Sequence, residues 1–390
     1  MGTGGWHLKV FLVVGEASGD RLGASLMQGM KKLAKKVEFK GIFGPEMEIN
    51  GLTSLFEMSE LSVMGVTEIL PKYFKLRRRL SQTVEAVLEY KPDLLITIDS
   101  PEFCLRVAKK VRAANLNIRT IHYVAPTVWA WRPKRAKKMA RFIDHVLALF
   151  PFEPPYMVAE GMDCDFVGHP IAAMNPITPK EISSFQEKYK IDPFQPSLVI
   201  LPGSRLSEVQ RLLPIFCNVL RRNEFSNFQL IFPTLPHLKE YIVNLIVDLP
   251  HKAYVATDEN LTSEEAAHQR FVAFSSAQAA LAASGTVSLE LASVGTPMVI
   301  AYDMSWLSRW IINAMLRVDT VSLVNLISKT RNIPELLGKD CRAELIALEL
   351  KRVLAHPNLQ TEVFNTTMKL LGRDDAKLAD RAALAILAKL

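Results

Sequence analysis

The sequence predicts an α/β protein made of two doubly wound domains facing a cleft, and three observations predict it. Short apolar runs rich in β-branched residues alternate with longer amphipathic stretches along the whole chain. Continuous apolar strands separated by helices imply parallel sheets covered on both faces. A length of 390 residues suits two domains, each able to bury its own core. Third, Ile171–Pro196 breaks the rhythm with Pro176, Pro179, Pro193 and Pro196 and no strand, which reads as an interdomain connection with room for one short helix.

The predicted strands, in order, are Lys9–Val14, Asp93–Ile98, Ile118–Val124, His145–Ala148, Leu198–Leu201, Gln229–Phe232, Lys252–Ala256, Ala279–Ala282 and Met298–Ala301. Domains are expected over residues 1–178 and 190–373, with 374–390 crossing back onto the first. Ligands are expected at the C-terminal ends of the strands.

Composition narrows the function classes. Hydrophobic content of 49% with 22% charged residues excludes a disordered chain. A formal net charge of +7 favours anionic partners: nucleotides, nucleic acid or an acidic membrane surface. Cys104, Cys164, Cys217 and Cys341 are scattered with no CxxC pair, as expected of free thiols in a reducing compartment. Val10–Val14 is too short for the core of a signal peptide, and no apolar run approaches the ~18 residues of a membrane span. The chain is expected to be cytosolic, or to rest on a membrane.

The first strand delivers Gly15-Glu-Ala-Ser-Gly-Asp20. This is not GxGxxG, so dinucleotide binding gains little support. Ser18 and Asp20 read either as hydrogen-bonding groups of a ligand-facing loop or as parts of a glycine turn with Asp20 near a helix cap. Asp99, in Ile98-Asp-Ser-Pro-Glu-Phe103, ends a strand at the cleft mouth. A carboxylate there can act as general base on a hydroxyl nucleophile, or merely cap the turn; Glu102 is its nearest competitor. His122, opening His122-Tyr-Val-Ala-Pro-Thr-Val-Trp-Ala-Trp-Arg132, is a second base, a donor to sugar or phosphate, or a buried structural histidine. Trp129 and Trp131 introduce a basic helix with Arg132, Lys134, Arg135, Lys137, Lys138 and Arg141. No nucleic-acid-binding motif accompanies it, so an anionic small molecule or lipid headgroup is preferred. Asp163-Cys-Asp165 matches the Asp-x-Asp of metal-dependent glycosyltransferases, but three-residue patterns arise by chance, and no metal is expected.

The second half carries the strongest constellation. Ser197-Leu-Val-Ile-Leu-Pro-Gly-Ser-Arg205 is a strand, a tight turn and a helix start, where exposed backbone N–H groups, Ser204 and Arg205 suit a diphosphate. Some eighty residues later, Ala282-Ala-Ser-Gly-Thr-Val-Ser-Leu-Glu290 repeats the arrangement, with Glu290 available to a ribose diol. Two such turns on one domain point to a nucleoside diphosphate-sugar.

Taken in order, Gly15–Asp20, Val63-Met-Gly-Val66, Ile98–Pro101, His122–Trp131, Phe166-Val-Gly-His169, Leu201–Arg205 and Ser284–Glu290 resemble the lipid-A-disaccharide synthase family over nearly the whole chain. The resemblance implies a GT-B glycosyltransferase of Gram-negative bacteria that needs no metal or other cofactor. It implies transfer of 2,3-diacylglucosamine from UDP to 2,3-diacylglucosamine 1-phosphate, with a β-1,6 link formed and UDP released. On the same basis Asp99 would be the base on the acceptor 6-hydroxyl, with Arg205 and His122 the other catalytic candidates. Gly203, Ser204 and Arg205 with Ser284, Gly285 and Thr286 would hold the diphosphate, Glu290 the ribose, and Asn325 would line the nucleotide site. Ser18, Asp20, Met64 and Trp129 would face the acceptor. Val324 stands where the family usually has proline. The family also implies a homodimer, which no residue pattern shows independently.

Acylated substrates require membrane access. Leu61–Leu80 holds Met64, Val66, Ile69, Leu70, Tyr73, Phe74 and Leu76 beside Lys72, Lys75 and Arg77–Arg79, which reads as an interfacial segment on the anionic cytosolic face of the inner membrane. Trp306, Trp310, Ile311 and Met315 with Arg309 and Arg317 form a second candidate. The alternative for both is an amphipathic helix packed on the sheet. Two other functions fit parts of the pattern: a sugar-nucleotide epimerase, which has no need of an interfacial segment, and a non-catalytic nucleotide-sugar sensor, which has no need of Asp99.

Overall fold

The computed structural model describes residues 7–61, 66–129, 134–257, 259, 261–303 and 319–390. The chain forms two compact units, residues 1–173 with 371–390, and residues 174–370. The strands are β1 (His7–Val14), β2 (Lys36–Ile42), β3 (Leu94–Ile98), β4 (Arg119–Tyr123), β5 (His145–Ala148), β6 (Asp163–Phe166), β7 (Ser197–Leu201), β8 (Gln229–Thr234), β9 (Ala253–Thr257), β10 (Ala279–Ala283), β11 (Met298–Tyr302) and β12 (Glu335–Leu337).

The first unit carries a six-stranded parallel sheet in the order β2-β1-β3-β4-β5-β6. Its central strands β1 and β3 are mostly apolar, and they feed two cores because successive side chains point to opposite faces. Val10, Leu12 and Val14 of β1 pack with Leu22, Leu26 and Met30 of helix Ala17–Leu33. Phe11 and Val13 pack on the other face with Cys104, Val107 and Val111 of helix Pro101–Ala114. The C-terminal helix Arg381–Leu387 completes the first face. Its Ala383 lies so close to Gly29 that a Cβ there would stand 3.0 Å away, and Lys32 pairs with Asp380 at 2.5 Å.

The second unit repeats the plan with a parallel sheet in the order β12-β11-β10-β7-β8-β9. Leu198 and Ile200 of β7 pack against Val209, Leu212, Leu213 and Phe216 of helix Leu206–Leu220. Burying a side chain such as Phe216 contributes about 2–3 kcal/mol. Helix Pro179–Tyr189 lies in the connection predicted from its prolines, starts with a Thr178/Glu181 capping box, and is held by Glu181–His268 at 2.7 Å and Lys188–Gln269 at 2.7 Å.

All nine predicted strands are present, His145–Ala148 unshifted and the other eight shifted by one or two residues at one or both ends. Three strands escaped prediction: β2, β6 and β12. Each is a sheet edge. Edge strands are half solvated, so KVEFKGI, DCDF and ELL lack the continuous apolar run of an interior strand.

Candidate active site

Each sheet reverses its strand order at one point, between β1 and β3 in the first and between β7 and β10 in the second. Loops leaving adjacent strands in opposite directions open a crevice there, where doubly wound folds bind ligands. Both groups of polar residues picked out from the sequence fall at these two points.

In the second unit, β7 ends at Leu201 and turns through Gly203, whose φ of +123° favours glycine. A Cβ on Gly203 would stand 2.6 Å from Glu208 Cβ and 2.7 Å from its Oε2. The reason is a capping box: Glu208 Oε2 accepts the backbone N–H groups of Ser204 (3.2 Å) and Arg205 (3.4 Å), while Oε1 takes Arg205 Nη1 at 3.1 Å. The cradle is therefore not empty-handed, as the sequence suggested; a carboxylate from the same helix occupies it. Glu208 is mostly covered, whereas the Arg205 side chain is 74% exposed.

Gly203, Ser204, Arg205 and Glu208 line a cavity of about 500 Å³ together with Ser284, Gly285, Thr286 and Glu290. That volume falls in the range of roughly 300–1,000 Å³ usual for small-molecule sites. Thr234 and Thr257, at the ends of β8 and β9, and Gln269 and Arg270, on helix Ser263–Ser275, complete the wall. Glu290 is not alone in its apolar helix: Arg270 Nη2 donates to Oε1 at 3.1 Å and Nε to Oε2 at 3.2 Å.

In the first unit, Asp99 and Ser100 leave β3 with φ of +53° and +40°. Two consecutive non-glycine residues in the left-handed region cost about 1–3 kcal/mol each, a form of strain that gathers at functional sites. The turn is held by Asp99 N–H to Tyr123 O (2.9 Å) and Ser100 N–H to Asp99 Oδ1 (2.8 Å). Ser18 donates its hydroxyl to Asp99 Oδ2 at 3.3 Å, and Ser100 donates to Glu16 Oε1 at 3.1 Å. Burial first, and then the neighbouring Asp99 charge, push the Glu16 carboxyl above its ordinary value. The chain passes close enough that a Cβ on Gly15 would meet Ser100 Oγ at 2.6 Å.

Several predicted site residues are placed elsewhere. Asp20 is 1% exposed and accepts the N–H groups of Gly44 (2.9 Å), Glu46 (2.8 Å) and Met47 (3.3 Å), so its carboxylate caps the next helix instead of facing an acceptor. His122 lies inside the sheet, its Nδ1 2.8 Å from Thr97 Oγ1. Burial pushes its pKa down to about 3, so the ring is neutral, and with 0% exposure it does not face a ligand as the second base expected from the sequence. Trp129 is packed indoors, its indole N–H donating to the buried Glu153 at 3.2 Å. Asn325 does not line the cavity: its Nδ2 donates to Ile333 O (2.9 Å) and Glu335 (2.8 Å), and its Oδ1 accepts Ile333 N–H (3.0 Å). Asp163 pairs with Arg119 and Lys389, and Asp165 with His145, which uses up the Asp-x-Asp pair. Met64, Trp131, Arg132 and the second interfacial candidate at 306–317 lie outside the described residues.

Glu208, Glu16 and Arg270 were missed from the sequence. Glu208 had a signal, since an acidic residue at the third position of a helix is half of a capping box. Glu16 sits within the first glycine loop. Arg270, twenty residues from its partner, had none.

Two Rossmann-like units, each with one switch point in a six-stranded parallel sheet, define the GT-B fold class. UDP-GlcNAc 2-epimerase from Neisseria meningitidis, solved bound to UDP-GlcNAc, shares the fold with a TM-score of 0.65 at 13% identity, covering 98% of this chain and 100% of that one. A family profile described as lipid-A-disaccharide synthetase matches residues 10–387. The lipid-A-disaccharide synthase of Ruegeria pomeroyi is 49% identical over 98% of this chain and 96% of its own, and that of Rhodospirillum centenum 41% identical over 97% and 94%. The chain belongs to the lipid-A-disaccharide synthase family. It is an enzyme, a glycosyltransferase of lipid A disaccharide synthesis.

Proposed function

We propose that this enzyme transfers 2,3-diacylglucosamine from UDP to the 6-hydroxyl of 2,3-diacylglucosamine 1-phosphate with inversion, forming the β-1,6 disaccharide 1-phosphate and releasing UDP. The observation that carries the reading is the cavity that gathers Gly203, Ser204, Arg205, Ser284, Gly285, Thr286 and Glu290 at one switch point. The Glu208 carboxylate, itself an oxygen anion, accepts the same N–H groups, which supports this reading. The diphosphate takes the Ser204 and Arg205 N–H groups from that carboxylate, and the exposed Arg205 guanidinium follows. Ser284–Thr286 contacts the same diphosphate, and Glu290 accepts from the ribose.

Asp99 is the general base of the acceptor site on the first unit. Its carboxylate removes the 6-hydroxyl proton, and the oxygen attacks C1 of the donor sugar on the face opposite UDP. The bond from C1 to the phosphate oxygen breaks, and its electron pair leaves with UDP. Arg205 and the surrounding N–H dipoles stabilise the charge developing on that phosphate. The Ser18 hydroxyl aims Asp99, and the strained turn holds both in place.

Access to acylated substrates comes from the helix Val66–Tyr90. Phe74 is 78% and Tyr73 48% exposed, with Arg77 and Arg78 also exposed beside them. Apolar anchors next to cations suit an anionic bilayer surface. Arg79 belongs to the fold instead, forking onto Glu60 and lying over the Phe56 ring. No helix among the described residues is long and apolar enough to cross a membrane. The reading makes the protein peripheral to the inner membrane, with no nucleic-acid partner.

Mass spectrometry of products from UDP-diacylglucosamine and the monosaccharide 1-phosphate tests the assignment. The expected result is a disaccharide 1-phosphate, with UDP appearing only when acceptor is present. Acceptor-independent change of the donor sugar would point to epimerase chemistry.

A further inference from the structure

We propose that Arg270 is a positioning residue that aims the Glu290 carboxylate at the nucleotide ribose; the inference rests on reading Glu290 as the ribose acceptor. The two side chains come from different helices, Ser263–Ser275 and Val287–Ser293, and both line the cavity. They meet side-on, with Nε to Oε2 at 3.2 Å and Nη2 to Oε1 at 3.1 Å. A fork gripping both oxygens fixes the plane of a carboxylate as well as its place, which a single ammonium cannot do. No other hydrogen bond reaches that carboxylate among the described residues, so Arg270 alone sets its orientation.

The acceptor count agrees with this role. A carboxylate offers about four acceptor positions. Arg270 takes two, and the remaining two match the two hydroxyls of a vicinal diol. Arg270 is itself on a firmly held helix. The Thr262/Glu265 capping box fixes its start, and the adjacent Gln269 donates to Thr257 O at 3.0 Å and accepts Lys188 Nζ at 2.7 Å.

The test compares UDP with 2′,3′-dideoxy-UDP by calorimetry on the full-length wild type, Arg270→Met, Arg270→Lys and Glu290→Gln. In Arg270→Met the Kd for UDP rises roughly 10- to 100-fold (about 1.4–2.8 kcal/mol), while the Kd for dideoxy-UDP stays within about twofold. The donor KM rises by the same factor with kcat changed less than about threefold. Arg270→Lys recovers part of the loss, because it restores charge without the fork. Equal weakening of both nucleotides, or of neither, overturns the proposal. Should Arg270→Met fail to fold, the same pair of nucleotides read on Arg270→Lys decides the matter: a loss confined to UDP supports it and an equal loss refutes it. A wild type that binds both nucleotides equally removes the ribose reading of Glu290 itself, and the role of Arg270 with it.

Discussion

Replacing Gly203 with alanine strikes the turn after β7 at its tightest point. The methyl group meets two obstacles. The backbone there has φ of +123°, a region that costs an L-residue about 1–3 kcal/mol. The new Cβ also stands 2.6 Å from Glu208 Cβ and 2.7 Å from its Oε2, so Glu208 is expelled. Ser204 and Arg205 N–H then lose their acceptor, and the loss of a helix cap adds about 1 kcal/mol. The sum is about 2–4 kcal/mol, which lowers the melting temperature of a unit of this size by about 4–16 °C. Gly295→Ala is the control in the same unit: its φ is +78°, but nothing lies within 4 Å of its Cβ. It carries backbone strain alone, about 1–2 kcal/mol. Scanning calorimetry and a disaccharide-forming assay are run on both variants. Gly203→Ala melts lower than Gly295→Ala and loses activity at least about tenfold, since Arg205 is no longer aimed. A Gly203→Ala protein that melts with the control and keeps full activity refutes the close-packed cradle.

Asp99→Asn keeps the strained turn and its backbone hydrogen bonds but cannot accept the acceptor proton, so turnover falls by about 100-fold or more with an unchanged melting temperature; near-normal rates would remove Asp99 from the mechanism. Burial pushes the Glu153 carboxyl up to about 8 from an ordinary 4.5, so the folded state holds a proton that the unfolded state releases, and stability falls as pH rises between those values. His122 and His169, pushed down by burial to about 3 and about 4, act in the opposite sense and only below about pH 6.5. Between pH 6.5 and 8 the unfolding free energy of the wild type, read from urea melts, therefore declines by up to about 1.4 kcal/mol per pH unit, while Glu153→Gln gives a flatter profile; parallel profiles would show that Glu153 is ionised throughout. Replacing Tyr73 and Phe74 together with serine reduces co-sedimentation with anionic vesicles while leaving UDP binding intact, and equal sedimentation of both proteins would remove this helix as the anchor.

The interior of each sheet was legible because a strand buried on both faces must be apolar along its whole length. Val10–Val14, Leu198–Leu201 and Ala279–Ala283 announce themselves without reference to any partner. Edge strands carry no such requirement, which is why β2, β6 and β12 passed unseen. The two turns at Gly203 and Gly285 were legible for a related reason: a strand, a glycine and a helix start form a local pattern that needs only neighbouring residues.

What a polar side chain does was less legible. Asp20, His122, Trp129 and Asn325 all stand in motifs that suggested ligand contact, yet each finds its partner inside the protein: the N–H groups of Gly44, Glu46 and Met47 for Asp20, Thr97 for His122, Glu153 for Trp129 and Ile333 for Asn325. A buried polar group must be satisfied, and the partner can come from anywhere in the chain.

The sequence by itself determined the two parallel sheets, the glycine turns that end β7 and β10, and membership of the lipid-A-disaccharide synthase family. Local periodicity and short-range turn chemistry suffice for the first two, and ordered motifs along the whole chain for the third. Only the tertiary structure decided that Arg270 grips Glu290, that Asp20 caps a later helix, and that Asp99 is joined by Ser18 and Ser100 by Glu16. Each of those depends on which helices and strands the fold sets side by side, and on how much water the packing leaves around the charges it brings together.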